Sequence, residues 1–308
     1  MEDVGKNMSH LMQQKDYQSR YSELMKEVLQ DSAVNQFLQE HKNELSQEDI
    51  ERSFTKLYEF VQEKKKFELN DPTMIAPGYE PQLMLNFHSV DVTYVPTEQL
   101  LAKRQQEEIE DRIQAVNMPK DIQQARISEY ERTSGRGDAL IAAMDFIENF
   151  EDDPKAFHKG LYLVGSFGVG KTYLLGAIAR DLAEKGYPST LLHFPTFAVD
   201  MKQSIKSEKV GEKLDTVKKA PILMLDDIGA DSMGSWIRDD IFGVILQYRM
   251  QEQLPTFFSS NFTMNELESH LTVTQRGEEE PLKAKRIMER IRYLTQEIKM
   301  TGRNRRNS

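Results

Sequence analysis

Gly165-Ser166-Phe167-Gly168-Val169-Gly170-Lys171-Thr172 is the stretch on which the fold turns. The apolar run Leu161-Tyr162-Leu163-Val164 stands before it. Tyr173-Leu174-Leu175-Gly176-Ala177-Ile178-Ala179 continues from it with helical apolar spacing. The order is strand, glycine loop, helix, with the spacing G-x-x-x-x-G-K-[ST] intact. Glycines let the loop turn its N–H groups inward and a helix N-terminus adds positive potential, so a polyphosphate is held there. The expected nucleotide contacts are Gly165, Ser166, Phe167, Gly168, Val169, Gly170, Lys171, Thr172 and Tyr173. Lys171 is expected to reach the β and γ phosphates, and the Thr172 hydroxyl to take Mg²⁺. The stretch predicts a nucleoside triphosphate site.

Outward from the loop, helix and strand signals alternate. A helix is expected over 139–150, a strand over 161–164 and a helix over 171–184. A strand follows over 190–194, then a helix over 197–205 and a strand over 222–225. The series ends with a helix over 237–251 and a strand over 256–260. This alternation predicts a parallel sheet with helices on both faces.

Pro221-Ile222-Leu223-Met224-Leu225-Asp226-Asp227 is an apolar strand ending in two acids. A strand buried on both faces reads as such a run, and its carboxyl end is where open α/β sheets place ligands. Asp226 is expected to hold Mg²⁺ through water, and Asp227 to polarise an attacking water. Pro255-Thr256-Phe257-Phe258-Ser259-Ser260-Asn261 brings a polar residue to the corresponding edge. Asn261 then orients water between the γ-phosphate and Asp227, or is an ordinary turn asparagine closing a strand. Arginines gather late, at Arg286, Arg290 and Arg292, then Arg303, Arg305 and Arg306. On a helix over 282–293, Ile287 and Ile291 bury one side, and Arg286 and Arg290 lie one turn apart. Lys202, Lys206, Lys209, Lys213, Lys218 and Lys219 lie between the second and third core strands. They form a patch for a phosphate backbone or, diluted by Glu208, Glu212 and Asp215, a solvated helical face.

The first half has a different texture. Tyr21, Leu24, Met25, Val28 and Leu29 make one helical stripe; Val34, Phe37 and Leu38 begin another. Ser46-Gln47-Glu48-Asp49 resembles a capping box, followed on one face by Ile50, Phe54, Leu57, Tyr58 and Val61. These helices form a small bundle or a protein-docking module. Leu83, Leu85 and Phe87, then Val90, Val92 and Tyr94, alternate around His88-Ser89 and predict a hairpin ending at Pro96. His88 reads as a turn residue, and the other histidines are scattered. From Thr97 to Gln114 the chain is almost all charged or amide, which predicts an exposed connecting helix. Pro119 interrupts it and Ser134-Gly135-Arg136-Gly137 marks a second loop. The expected division is an N-terminal domain over 1–115, a linker over 116–132 and the nucleotide domain over 133–308.

At 308 residues, two domains accord with roughly 150 residues per domain. A net charge of −10 argues against coating DNA with the whole surface, so any nucleic-acid contact is local. The chain has no cysteine, which excludes disulfides and cysteine-ligated metal. Met1-Glu2-Asp3-Val4-Gly5-Lys6 carries no apolar leader and no run approaches membrane length, so a cytoplasmic protein is expected.

The P-loop, Leu225-Asp226-Asp227-Ile228-Gly229-Ala230, the segment ending at Asn261-Phe262, and Arg286-Ile287-Met288-Glu289-Arg290 together resemble AAA+ helicase loaders of the DnaI type. DnaC loaders and transposition helper ATPases are relatives. The ATPase resemblance covers 133–308; the first half is similar to the DnaI N-terminal domain more weakly. The resemblance implies that 165–172 is Walker A, Asp226 and Asp227 are Walker B, and Asn261 is sensor 1. It makes Arg290 the arginine finger, Arg306 the sensor 2 candidate, and the lysines Lys202, Lys206, Lys209, Lys213 and Lys218 contacts for single-stranded DNA. It further implies ATP and Mg²⁺ as cofactors, weak hydrolysis acting as a switch, self-association through the ATPase domain, and a hexameric replicative helicase with other primosome proteins as partners. The fold it implies is an AAA+ P-loop domain with little or no lid, since the chain after Asn261 is too short for a full one, plus a smaller helical domain with the hairpin. DnaI relatives carry a cysteine-rich zinc site. Here Thr97 sits where the family commonly has cysteine, and zinc is not expected.

Two other readings are a transposition helper ATPase assembling on duplex DNA and a P-loop kinase for a small metabolite. The separate first half favours the loader over both, and Asn261 with the late arginines weighs against the kinase.

Overall fold

The computed structural model describes residues 20–133, 135–231, 233–273 and 277–305. Two compact units divide between Gln105 and Gln106.

In the first unit, helix α1 (residues 20–30) leads into α2 (Ser32–Glu40), α3 (Gln47–Arg52) and α4 (Phe54–Glu68). Asp31 caps α2 by accepting from Ala33 N and Val34 N, and Ser46 with Asp49 forms the expected capping box on α3. The stripes face one another: Val28, Val34, Leu45, Phe54, Leu57, Phe60 and Val61 make one core with Val90 of the hairpin. Leu57 is fully buried there, so truncating it to alanine costs about 2–5 kcal/mol. The hairpin pairs β1 (Tyr79–Asn86) with β2 (Ser89–Pro96), Leu83 opposite Val92 and Leu85 opposite Val90. Its turn holds Phe87 at φ +53°. At its base both Thr97 N and Thr97 Oγ1 donate to Gly78 O, at 3.0 and 2.9 Å, while Thr97 Oγ1 accepts from Leu100 N. The Thr97 hydroxyl thus closes the base of the hairpin.

The division falls inside the charged helix α5 (Glu98–Asp111), ahead of the expected domain end at residue 115. The compact division and a strand at its start both depart from the expected boundary and linker. Ile113-Gln114-Ala115-Val116 is a strand, β3, paired in parallel with β5 (Ser189–His193), and a short helix, α6 (Lys120–Gln123), follows it. A four-residue edge strand carries too little alternation to stand out beside the charged helix before it.

The six-stranded sheet runs β3-β5-β6-β7-β4-β8, with β4 (Gly160–Val164), β6 (Ile222–Asp226), β7 (Thr256–Ser260) and β8 (Thr295–Lys299), and every pairing is parallel. Strands β4, β6 and β7 are buried throughout, which is why β4 and β6 read as nearly continuous apolar runs. Alternate residues serve opposite faces. Leu161, Leu163, Ile222, Met224 and Phe257 pack with α7 (Gly137–Asp152) and α8 (Lys171–Glu184). Tyr162, Val164, Leu223, Leu225 and Phe258 pack with α9 (Phe194–Ser204), α11 (Gly243–Gln251), α12 (Met264–Thr272) and α13 (Pro281–Leu294). Helix α10 (Val210–Lys218) precedes β6, and a π-helical stretch, Ile237–Phe242, enters α11. After β7 the described chain forms α12 and α13 and returns to the sheet as β8.

Arg249, fully buried on α11, fixes the starts of β6 and β7. Its guanidinium donates to Ala220 O, Pro255 O and Thr256 Oγ1, each at 2.7 Å, and to Lys218 O at 3.1 Å. These two strands carry the acids and Asn261 to the carboxyl edge. Among the described residues no helix is long and apolar enough to cross a membrane.

Candidate nucleotide site

The glycine loop leaves β4 at the carboxyl edge, where Gly165 N donates to Ser260 O at the end of β7. Gly168 and Gly170 take φ of +75° and +97°, a conformation that needs no Cβ. Helix α8 starts at Lys171, so its first N–H groups face the loop. Lys171 is buried; its Nζ donates to Gly165 O at 2.7 Å, Ser166 O at 3.1 Å and Asn261 Oδ1 at 2.8 Å. Asn261 Nδ2 in turn donates to Asp227 Oδ1 at 3.2 Å. Thus Lys171, Asn261 and Asp227 form one hydrogen-bonded line.

Beside it, Asp226 Oδ1 accepts from Thr172 Oγ1 at 2.9 Å and from Ser259 Oγ at 2.5 Å. Ser259 Oγ accepts from Asp227 N at 2.9 Å, so one hydroxyl sets both acids. Burial pushes the Asp226 carboxyl above the ordinary aspartate range and Asp227 adds to this, while the Ser259 and Thr172 hydrogen bonds hold it back. Asp227 sits at φ +59°, a strained conformation for a non-glycine residue of the kind that functional sites retain. A buried carboxylate beside a hydroxyl is a donor set of hard oxygens that fits Mg²⁺.

A cavity of about 750 Å³ opens over these groups. Its lining includes Phe167, Gly168, Gly170, Lys171, Thr172, Tyr173, Asp226, Asp227 and Asn261, so these expected residues converge on one space, whereas Gly165, Ser166 and Val169 do not line it. Other lining residues were missed. Asn117, Met118, Pro119, Tyr130 and Glu131, from the stretch expected to be a linker, form a wall of this cavity. His193, at the end of β5, has Nε2 3.9 Å from Asp227 Oδ2 and Nδ1 2.8 Å from Thr196 Oγ1. A histidine closing a buried strand at the carboxyl edge, and the serines of Ser259-Ser260 within an apolar strand, were the available signals. For residues 117–131 there was none, because their role depends on where the chain returns.

The remaining expectations separate. Arg290 is half-buried and donates from Nη1 to Gly243 O at 2.9 Å; it is not among the residues lining the cavity. Arg306 lies outside the described residues. Its neighbour Arg305 lines the cavity, donates from its backbone N to Gly168 O at 3.1 Å and pairs with Glu131. Lys202 on α9, Lys206 and Lys209 in the following turn and Lys213 on α10 are exposed. Lys218 is held by Asp215 and lies over the Tyr248 ring.

A P-loop at the end of one parallel strand, two acids on the next but one and a polar residue between them define a P-loop ATPase of the AAA+ class. The model of the IstB-like ATP binding protein matches residues 88–306, and that of the primosomal protein DnaI N-terminus matches residues 1–94. The replicative helicase loader DnaI of Bacillus subtilis (strain 168) is 39% identical over 312 residues, covering 100% of both chains. The chain belongs to the DnaI family of helicase loaders. A crystal structure of DnaI is 48% identical, with a TM-score of 0.54, covering 64% of this chain and 99% of that one. A DnaC helicase loader, 24% identical with a TM-score of 0.51 over 59% of this chain and all of that one, shares the fold.

Proposed function

We propose that this chain binds a hexameric replicative helicase through its first unit and uses ATP in the second to help place that helicase on single-stranded DNA. The observation that carries this reading is likeness to a helicase loader along the whole chain, including a first unit matched by the DnaI N-terminal model. A transposition helper or a metabolite kinase has no need of that unit.

The site supports a nucleotide switch. Lys171 and the loop N–H groups bind the phosphates, and Thr172 with Asp226 holds Mg²⁺, which when bound offsets charge on the phosphate oxygens. Asn261, held by Lys171 and Asp227, orients water, and Asp227 polarises it. Arg290, away from its own cavity, serves a neighbouring copy, so hydrolysis by an isolated chain is slow. The exposed lysines on α9, α10 and the turn between them take the DNA backbone.

Residues 1–105 should capture the replicative helicase of the same organism without ATP, whereas the full chain carrying Lys171→Ala should capture it yet fail to load it on single strands. Capture by residues 106–308 instead would overturn the assignment of the first unit.

A further inference from the structure

Arg136, just before α7, is buried to 3% exposure, yet among the described residues no carboxylate hydrogen-bonds it. Its Nη1 donates to the Glu131 backbone carbonyl at 3.1 Å, and its Nε has no hydrogen-bond partner among the described residues. The guanidinium lies over the Tyr130 ring, 3.8 Å from its centroid, and the buried Tyr130 hydroxyl has no hydrogen-bond partner of good geometry among the described residues. Both residues line the nucleotide cavity. The nearby Glu131 carboxylate is paired with Arg305. A Cβ on Gly170 would fall 2.6 Å from Arg136 Nη2, so the cation packs against the loop where α8 begins.

That arrangement is costly without an anion. A buried cation loses hydration, and the helix N-terminus beside it is itself positive. Its position is nonetheless fixed. Gly135 O accepts from Thr301 N at 2.8 Å, and a Cβ on Gly135 would sit 2.0 Å from Thr301 Oγ1. The guanidinium lies over the Tyr130 ring, with Nη1 bonded to the Glu131 carbonyl and Nη2 near Gly170.

We propose that Arg136 is a phosphate ligand of the bound nucleotide, its Nε and Nη2 edge donating to a phosphate oxygen held by the start of α8. The inference rests on the reading of this cavity as the ATP site. A base edge, carrying only partial charges, would not compensate a buried guanidinium next to a helix N-terminus; a phosphate does, because a charge-assisted bond is about twice as strong as a neutral one.

The test is displacement of a fluorescent ADP analogue from the full chain by ATP, ADP and adenosine. Arg136→Met should weaken ATP and ADP about 10- to 100-fold, the loss of one hydrogen bond to a charged group, with adenosine unchanged. Equal losses for adenosine would show that Arg136 serves the base or the cavity shape and overturn the proposal. So would wild-type ATP affinity in Arg136→Met while Lys171→Ala has lost it. If Lys171→Ala also retains ATP, the ATP-site reading fails instead. Should Arg136→Met melt at lower temperature than wild type, Arg136→Lys is read in its place. It should bind ATP several-fold more weakly, and undiminished binding would overturn the assignment.

Discussion

Lys171 Nζ donates to Asn261 Oδ1 at 2.8 Å, joining the P-loop to the end of β7 across 90 positions of chain. Because Asn261 Nδ2 donates to Asp227, the amide is gripped from both sides, and its orientation follows from the charges of its neighbours. Under the proposed function, an amide so held directs water rather than binding nucleotide.

Asn261→Ala should lower ATP turnover about 10²-fold, the scale of one positioned polar group, while ATP affinity stays within a few-fold. Steady-state turnover and calorimetry on the same preparation separate the two. A large loss of affinity without loss of turnover would contradict the role.

Asp226 and Thr172 predict how ATP affinity answers to Mg²⁺. Chelation with EDTA should weaken ATP in the wild type, and Asp226→Asn should show weak binding that no longer responds to Mg²⁺. Thr172→Val should behave alike. Binding by Asp226→Asn that still tightens on adding Mg²⁺ would move the metal elsewhere.

Arg290 is bonded to the Gly243 carbonyl and does not line its own cavity, and the proposed function assigns it to the phosphate of another copy. Arg290→Ala should abolish turnover. Mixing it with Lys171→Ala should restore part, since an intact arginine from one variant then meets an intact site in the other. Undiminished turnover by Arg290→Ala alone would sink action in trans.

The lysine segment gives a salt signature. Joint replacement of Lys202, Lys206, Lys209 and Lys213 by alanine should weaken single-strand binding and flatten its dependence on log salt by about 0.7 for each phosphate no longer neutralised. Fluorescence anisotropy across a salt series reads both, and an unchanged slope would assign the patch to solvent.

In the first unit, Asp31 caps α2 and accepts from Lys64 Nζ at 3.2 Å through both oxygens. Burial raises its pKa, but the Lys64, Val34 and Ala33 hydrogen bonds outweigh this and hold it below the ordinary 3.8. A depressed folded pKa means the contribution is present above the unfolded value and lost as pH falls through the folded one. Asp31→Ala should therefore cost about 1 kcal/mol or more near neutral pH. Calorimetric melts of the full chain should show the difference shrinking below about pH 4. A difference that grows on acidification would reverse the sign.

Local signals decided much of this protein from sequence alone. The P-loop, strands β4, β6 and β7, the hairpin and the capping box each depend on residues a few positions apart, so their chemistry is legible in order. Strands β3 and β8 are different. Ile113-Gln114-Ala115-Val116 and Thr295-Gln296-Glu297-Ile298-Lys299 have weak patterns of their own and are strands because β5 and β4 offer them open backbone edges. The site divides in the same way. Lys171, Thr172, Asp226, Asp227 and Asn261 announce themselves by position at strand ends. Arg136, Tyr130, His193, Ser259 and Arg305 join them only when the parallel sheet brings its carboxyl ends together and the chain on either side of it closes over the loop. A buried cation or hydroxyl takes its meaning from partners distant in sequence, and it is tertiary packing that supplies those partners and removes the water that would otherwise screen them.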